Sequence, residues 1–220
     1  RVAQYDEAWL GYWALRAAEL GTWEYNPWVH GPFLTHASRV TFALFGVGDA
    51  AWRLPVALLG GLLPAGALLF RSRLRDAEVV LLAGLFAVAP VLVYYSRVGR
   101  NDVPLAVLAT LALGFFLRAR DTGRARHLHA GAVCLALALT TKESALLYLL
   151  AWAGAGALLV EHRLHRATRE RGSLAGVVRS WLRAGTRATR RWGRHLALAV
   201  AAALAVVVLF YAPRAADPDA

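Results

Sequence analysis

The chain has 220 residues, of which 58% are hydrophobic, and carries a formal net charge of +11. A mean hydropathy of +0.45 excludes an ordinary soluble domain of this size. The positive charge does not make it a nucleic-acid binder, because no recognition motif accompanies the arginines. The single cysteine, Cys134, excludes an intramolecular disulfide, and no Cys/His spacing suits zinc.

Apolar runs approach the ~20 residues needed to cross a bilayer. The expected fold class is all-α: a polytopic transmembrane helical bundle with interfacial helices in its first outer loop. The expected location is the cell membrane, in multi-pass form. The polar, aromatic opening without Met, and the end at Asp217-Pro218-Asp219-Ala220, are expected of a fragment of a longer chain.

In chain order, Asp6-Glu7 comes first, beside Tyr5, Trp9, Tyr12 and Trp13. Two carboxylates near a membrane surface gain nothing from lipid. They suit a solvated helix start, which favours acids, or a base or cation ligand over a polar pocket. Ala8 to Leu20 reads as a short amphipathic helix stopped by Gly21. Residues 26–32 hold two prolines and a glycine and read as a loop containing His30. The segment 33–46 is short for a span and reads as an interfacial helix, with Phe33, Val40 and Leu44 towards lipid or protein and Arg39 towards water. A short tilted crossing is its alternative.

Six crossings are expected: Arg53–Phe70, Val79–Tyr95, Val103–Leu117, Leu128–Thr141, Ala145–Val160 and Leu196–Tyr211. The connections 71–76, 118–127 and 161–195 hold 17 of the 25 basic residues, which assigns them to the cytoplasmic side. The opposite side, counting Arg53 at the outer end of its crossing, holds 8 basic and 9 acidic residues, so the excess charge is one-sided. The expected organisation is an outer loop with juxtamembrane helices at 1–52, five crossings over 53–160, a basic cytoplasmic loop at 161–195, a sixth crossing at 196–212 and an outer tail at 213–220. Within the basic loop, Leu174, Val177, Val178, Trp181 and Leu182 recur at helical spacing, as in an amphipathic helix on anionic membrane lipid.

Three polar clusters fall on the outer side. They are Asp6-Glu7 with His30, the stretch Tyr94-Tyr95-Ser96-Arg97-Val98-Gly99-Arg100-Asn101-Asp102-Val103-Pro104, and Thr140-Thr141-Lys142-Glu143-Ser144. Arg97 and Arg100 suit interfacial anchoring or a phosphate site, since guanidinium forks bind phosphate bidentately. Asp102 could orient them or face a sugar hydroxyl. Lys142, the only lysine, pairs with Glu143 or makes a second phosphate contact. His30 is a structural loop histidine or a ligand contact. Together these groups suit a lipid-phosphate-linked sugar. A carboxylate would activate an acceptor hydroxyl, and the cations would stabilise the departing phosphate.

Asp6-Glu7, His30-Gly31-Pro32, Phe45-Gly46 with Trp52-Arg53-Leu54-Pro55, Ser96-Arg97…Asn101-Asp102 and Thr141-Lys142-Glu143 occur in an order that resembles a known group. It is the C-type-fold membrane glycosyltransferases of the dolichyl-phosphate-mannose–protein mannosyltransferase-like family, over most of residues 4–160. Within it, the sequence is most similar to the archaeal flippase-activity-associated proteins of N-glycosylation. The resemblance implies a polyprenyl- or dolichyl-phosphate-sugar donor and an active site on the outer face. It implies Asp6, Glu7 and Asp102 as catalytic positions, with His30, Arg97, Arg100, Asn101, Lys142 and Glu143 about the substrate. It also implies glycosylation-pathway proteins as partners. Gly31 departs from the His-Pro-Pro-like turn of relatives, which leaves the role of His30 open. Some distant relatives hold a divalent cation with such acids. This chain has no full acidic cluster after Arg100, and a cation stays an open alternative. A non-catalytic, flippase-associated role in lipid-linked glycan assembly is the second reading.

Overall fold

The computed structural model describes residues 5–21, 25, 30–171 and 174–213, with side chains except at 170–178 and 180–191. The described residues form a helical bundle with no strand among them. Helix α1 runs Tyr5–Leu20, three residues earlier than its apolar pattern suggests, so Asp6 and Glu7 occupy its first turn. Acids there meet the positive end of the helix dipole. Glu7, Leu10 and Ala14 are buried at helical spacing along one face. Asp6 lies about 100° round the helix from Glu7 and is more than half exposed. The helix stops at Gly21, in the left-handed region at φ 65°.

Helix α2, Phe33–Phe45, packs against α1 and against α3, Asp49–Gly66. Thirteen residues reach only ~20 Å, against a hydrocarbon core of ~30 Å. Val40 and Leu44 are exposed as the pattern suggests. Arg39 differs from expectation. It is half-buried, and its Nη1 is enclosed without a hydrogen-bond partner among the described residues. The cause is a polar buried face: Thr35, Ser38 and Thr41 turn inward beside Leu34 and Phe42, drawing the adjacent Arg39 in.

A 3-10 turn, Ala67–Phe70, extends α3 to the 71–75 connection, a tightening frequent at helix C-termini. The run expected at Val79–Tyr95 is two helices, α4 (Asp76–Val88) and α5 (Pro90–Tyr95). Pro90 cannot continue α4 but suits the first turn of α5. Four helical stretches are long and apolar enough to cross a membrane: 49–70, 102–122, 145–169 and 192–211. They belong to α3 with its 3-10 turn, α6 (Asp102–Thr122), α8 (Ala145–Arg171) and α9 (Leu174–Tyr211). Helix α7, Ala125–Leu139, is apolar but shorter. The chain is thus an all-α, polytopic membrane bundle.

Helix α6 is central. It packs on α3 and α7, and α7 in turn packs on α9. Helix α8 stays bare: Leu146, Leu147, Leu150, Leu158 and Leu159 are exposed, as surface facing lipid would be. The basic stretch is not an element of its own, because α8 continues to Arg171 and α9 begins at Leu174. Residues 214–220 of the expected tail at 213–220, residues 172–173, Asn26 to Val29 and the side chains of Leu174, Val177, Val178, Trp181 and Leu182 lie outside what is described.

The two ends of the bundle differ. At one end, Arg73 and Ser72 bind Asp121 at 2.6 and 2.7 Å, and His129 lies beside His195. This end gathers the arginine-rich connections. At the other end, the turns 96–101 and 140–144 meet the starts of α1, α2, α3 and α6. His36 contacts the Phe210 carbonyl at 3.1 Å, so the far end of α9 reaches that end too.

Candidate functional site

The 140–141 turn organises the site. Thr140 and Thr141 are fully buried, and both hydroxyls donate to the Leu137 carbonyl, at 2.9 and 2.7 Å. Their own carbonyls accept the Phe33 and Gly31 N–H groups at 2.9 and 3.2 Å. This stitch joins two loops more than a hundred residues apart. It also explains Gly31. A Cβ there would collide with the Thr140 carbonyl, and a proline would lose the donated N–H. His30, held just before the stitch, adopts φ 61°, a left-handed conformation uncommon for a side-chain-bearing residue. Its Nδ1 lies 3.1 Å from Glu143 Oε2. Tyr25 donates to the other oxygen of Glu143 at 3.4 Å. Burial first, and then the Glu143 carboxylate, push the Tyr25 phenol above its ordinary range.

The second anchor is Glu7. It is 1% exposed, and its Oε1 accepts from Arg53 Nε at 2.6 Å and from the Gly99 N–H at 2.8 Å. One carboxylate thereby ties α1 to α3 and to the 96–101 turn. The Trp52 indole packs so closely on Gly99 that a Cβ at that position would overlap it.

Between these anchors lies a cavity of about 260 Å³, lined by Tyr5, Asp6, Trp9, Leu10, His30, Arg100, Asn101, Asp102 and Lys142. Six candidates from the sequence therefore converge: Asp6, His30, Arg100, Asn101, Asp102 and Lys142. The ion pairs run as a chain. Arg100 Nη1 lies 3.3 Å from Asp6 Oδ2, Arg100 Nε lies 3.1 Å from Asp102 Oδ2, and Lys142 Nζ lies 2.7 Å from Asp102 Oδ1. Lys142 thus pairs with Asp102, forty residues away, rather than with its neighbour Glu143. Three candidates stand apart from the lining. Glu7 faces Arg53, Glu143 supports His30 from behind, and Arg97 is exposed.

Asp6 and Asp102 face a shared guanidinium, and no group of three His, Cys, Asp or Glu that could hold a metal ion occurs among the described residues. This donor set does not fit a resident divalent cation. The arrangement does fit an anion, which would compete with two carboxylates for Arg100 and Lys142. Sequence reading did not single out Arg53 or Trp9 for the site. The signal for Arg53 was available: it is the lone cation heading a long apolar helix, a position that calls for a carboxylate partner.

Comparison with known proteins gives one match. The family described as dolichyl-phosphate-mannose-protein mannosyltransferase matches residues 29–180, which includes the 96–102 and 140–144 turns and begins after Asp6-Glu7. No curated protein and no solved structure matches the chain.

Proposed function

Starting from the fact that the chain belongs to the dolichyl-phosphate-mannose-protein mannosyltransferase family, we propose that it transfers a sugar from a polyprenyl- or dolichyl-phosphate donor to an acceptor hydroxyl at the outer face of the membrane. The observation that carries this reading is the meeting of Asp6 and Asp102 with Arg100 and Lys142 around one cavity. The bundle ends support the orientation. The arginine-rich end suits the cytoplasm, which supports an outer-side position for the cavity. Tyr5, Trp9 and Tyr12 are exposed beside it, as aromatics at a lipid–water boundary are.

In this reaction the donor phosphate takes Arg100 and Lys142. Asp6 accepts the proton of the acceptor hydroxyl, whose oxygen attacks the anomeric carbon. The bond from that carbon to the phosphate oxygen breaks, and the lipid phosphate leaves with the electron pair, its charge met by the two cations. Asp102 orients both cations. Glu7 positions α1, and Glu143 with Tyr25 positions His30 at the cavity wall. Arg97, exposed at the same turn, suits contact with lipid headgroups.

The subgroup proposed is that of the archaeal flippase-activity-associated proteins, on the motifs of the outer clusters. Its second reading is assistance of lipid-linked sugar translocation without transfer. The pairing of Arg100 and Lys142 with Asp6 and Asp102 favours that reading, since both cations already have carboxylate partners. A transfer assay on the whole protein in lipid, with labelled lipid-phosphate sugars, separates the two. Release of lipid phosphate coupled to glycosylated acceptor supports transfer. Donor binding without either product overturns it in favour of the partner role.

A further inference from the structure

Asn101 lines the cavity yet is only 2% exposed, and neither its Oδ1 nor its Nδ2 has a hydrogen-bond partner among the described residues. Enclosed and unmade, such groups are costly. The side chain also declines the usual work of its type. Asparagine commonly caps a helix, and Asn101 stands immediately before α6, but it makes no side-chain cap and contributes only its carbonyl, to the Leu105 N–H at 3.0 Å. An amide kept polar, buried and idle at a cavity wall is poised for a ligand.

The chemistry of an amide narrows that ligand. Phosphate oxygens mainly accept hydrogen bonds, and Arg100 and Lys142 already offer them charged donors. An amide presents two donors and an acceptor together, which matches hydroxyl groups that both give and receive. In the chain, Asn101 sits between Arg100 and Asp102, beside the groups that would hold the phosphate. In a lipid-phosphate donor, the hydroxyl-bearing group nearest the phosphate is the sugar bonded to it. Resting on the proposed transfer reading, we propose that Asn101 is a specificity residue that reads hydroxyls of the donor sugar and separates a sugar-bearing lipid phosphate from the bare one.

The test is equilibrium binding to the whole protein in nanodiscs, without acceptor, of a short-chain polyprenyl phosphate and its mannosyl ester. Native protein, Asn101→Leu and Asn101→Ala are compared. Native protein should prefer the mannosyl ester by about ten-fold, the worth of one or two net hydrogen bonds. The variants should bind the bare phosphate as the native protein does and lose the preference, and Asn101→Leu should melt no lower, because an apolar side chain of similar size removes the unmade groups. A preference kept in both variants, or absent from the native protein, overturns the assignment while leaving donor binding intact. Failure of both variants to fold makes Asn101 structural and overturns it as well. Binding of neither lipid by folded native protein overturns the transfer reading itself along with it.

Discussion

Removing the charge of Asp6 and removing that of Glu7 should have different consequences, although the two residues are adjacent. Asp6→Asn keeps the size of a side chain that is more than half exposed at the cavity. Under the proposed function, sugar transfer should fall ~10²–10⁴-fold with only a small change in melting, because a positioned base is lost while the accompanying ion pair and helix-end charge are half-exposed. Glu7→Gln weakens a buried carboxylate held by Arg53 and the Gly99 N–H, and should lower stability by about 2 kcal/mol. Transfer assays and thermal melts at matched expression separate the effects. Near-native transfer by Asp6→Asn would remove the base assignment. The residue types of the site were legible in the sequence, since carboxylates, arginines and a lone lysine stand out against apolar neighbours. Their directions were not. Asp6 and Glu7 part because α1 starts at Tyr5, which sets which of them shares a face with Leu10 and Ala14. Arg97 and Arg100 likewise read as a pair, and only the fold of the 96–101 turn gives Arg100 to the cavity.

The loop-to-loop stitch should be less tolerant of added volume than any exposed helical surface. Gly31→Ala sets a methyl group against the Thr140 carbonyl and should cost about 1–3 kcal/mol, because backbone cannot yield as a flexible side chain does. Gly61→Ala, in α3 with open space around it, should instead stabilise by about 0.4–1 kcal/mol. Equal melting shifts in the two variants would contradict the account of Gly31. Most apolar helices were legible because their composition admits nothing else. The break at Ala89–Pro90 and the continuation of α9 through the basic stretch were not. Proline within a membrane helix is compatible with a bend or a new helix, and an arginine-rich stretch can as readily extend a helix as leave it.

For the whole bundle, the proposed orientation predicts labelling from opposite sides. With Cys134 replaced by alanine, Thr122→Cys should react with an impermeant maleimide only after the membrane is opened. Arg97→Cys should react in intact cells. Both positions are exposed and at opposite ends. Reversal of the pair would overturn the outer-face assignment. The proposed sidedness rests on where arginine concentrates. The lateral packing was not legible: nothing in the leucine-rich run of α8 distinguishes a helix left bare from one enclosed like α6, since lipid and protein neighbours ask for the same residues.

Arg100 carries one guanidinium and serves two carboxylates, and under the proposed function the donor phosphate becomes a third claimant. While Arg100 holds Asp6, that carboxylate is engaged with the guanidinium. When phosphate takes the guanidinium, Asp6 is released to turn towards the acceptor hydroxyl. The consequence is a kinetic order: an acceptor arriving first meets a base still engaged, and an acceptor arriving second meets one set free by the donor. Turnover should then follow a compulsory sequence with donor leading. Bare lipid phosphate should inhibit competitively against donor and non-competitively against acceptor, so the geometry of one shared side chain would be visible in the inhibition pattern of the steady state.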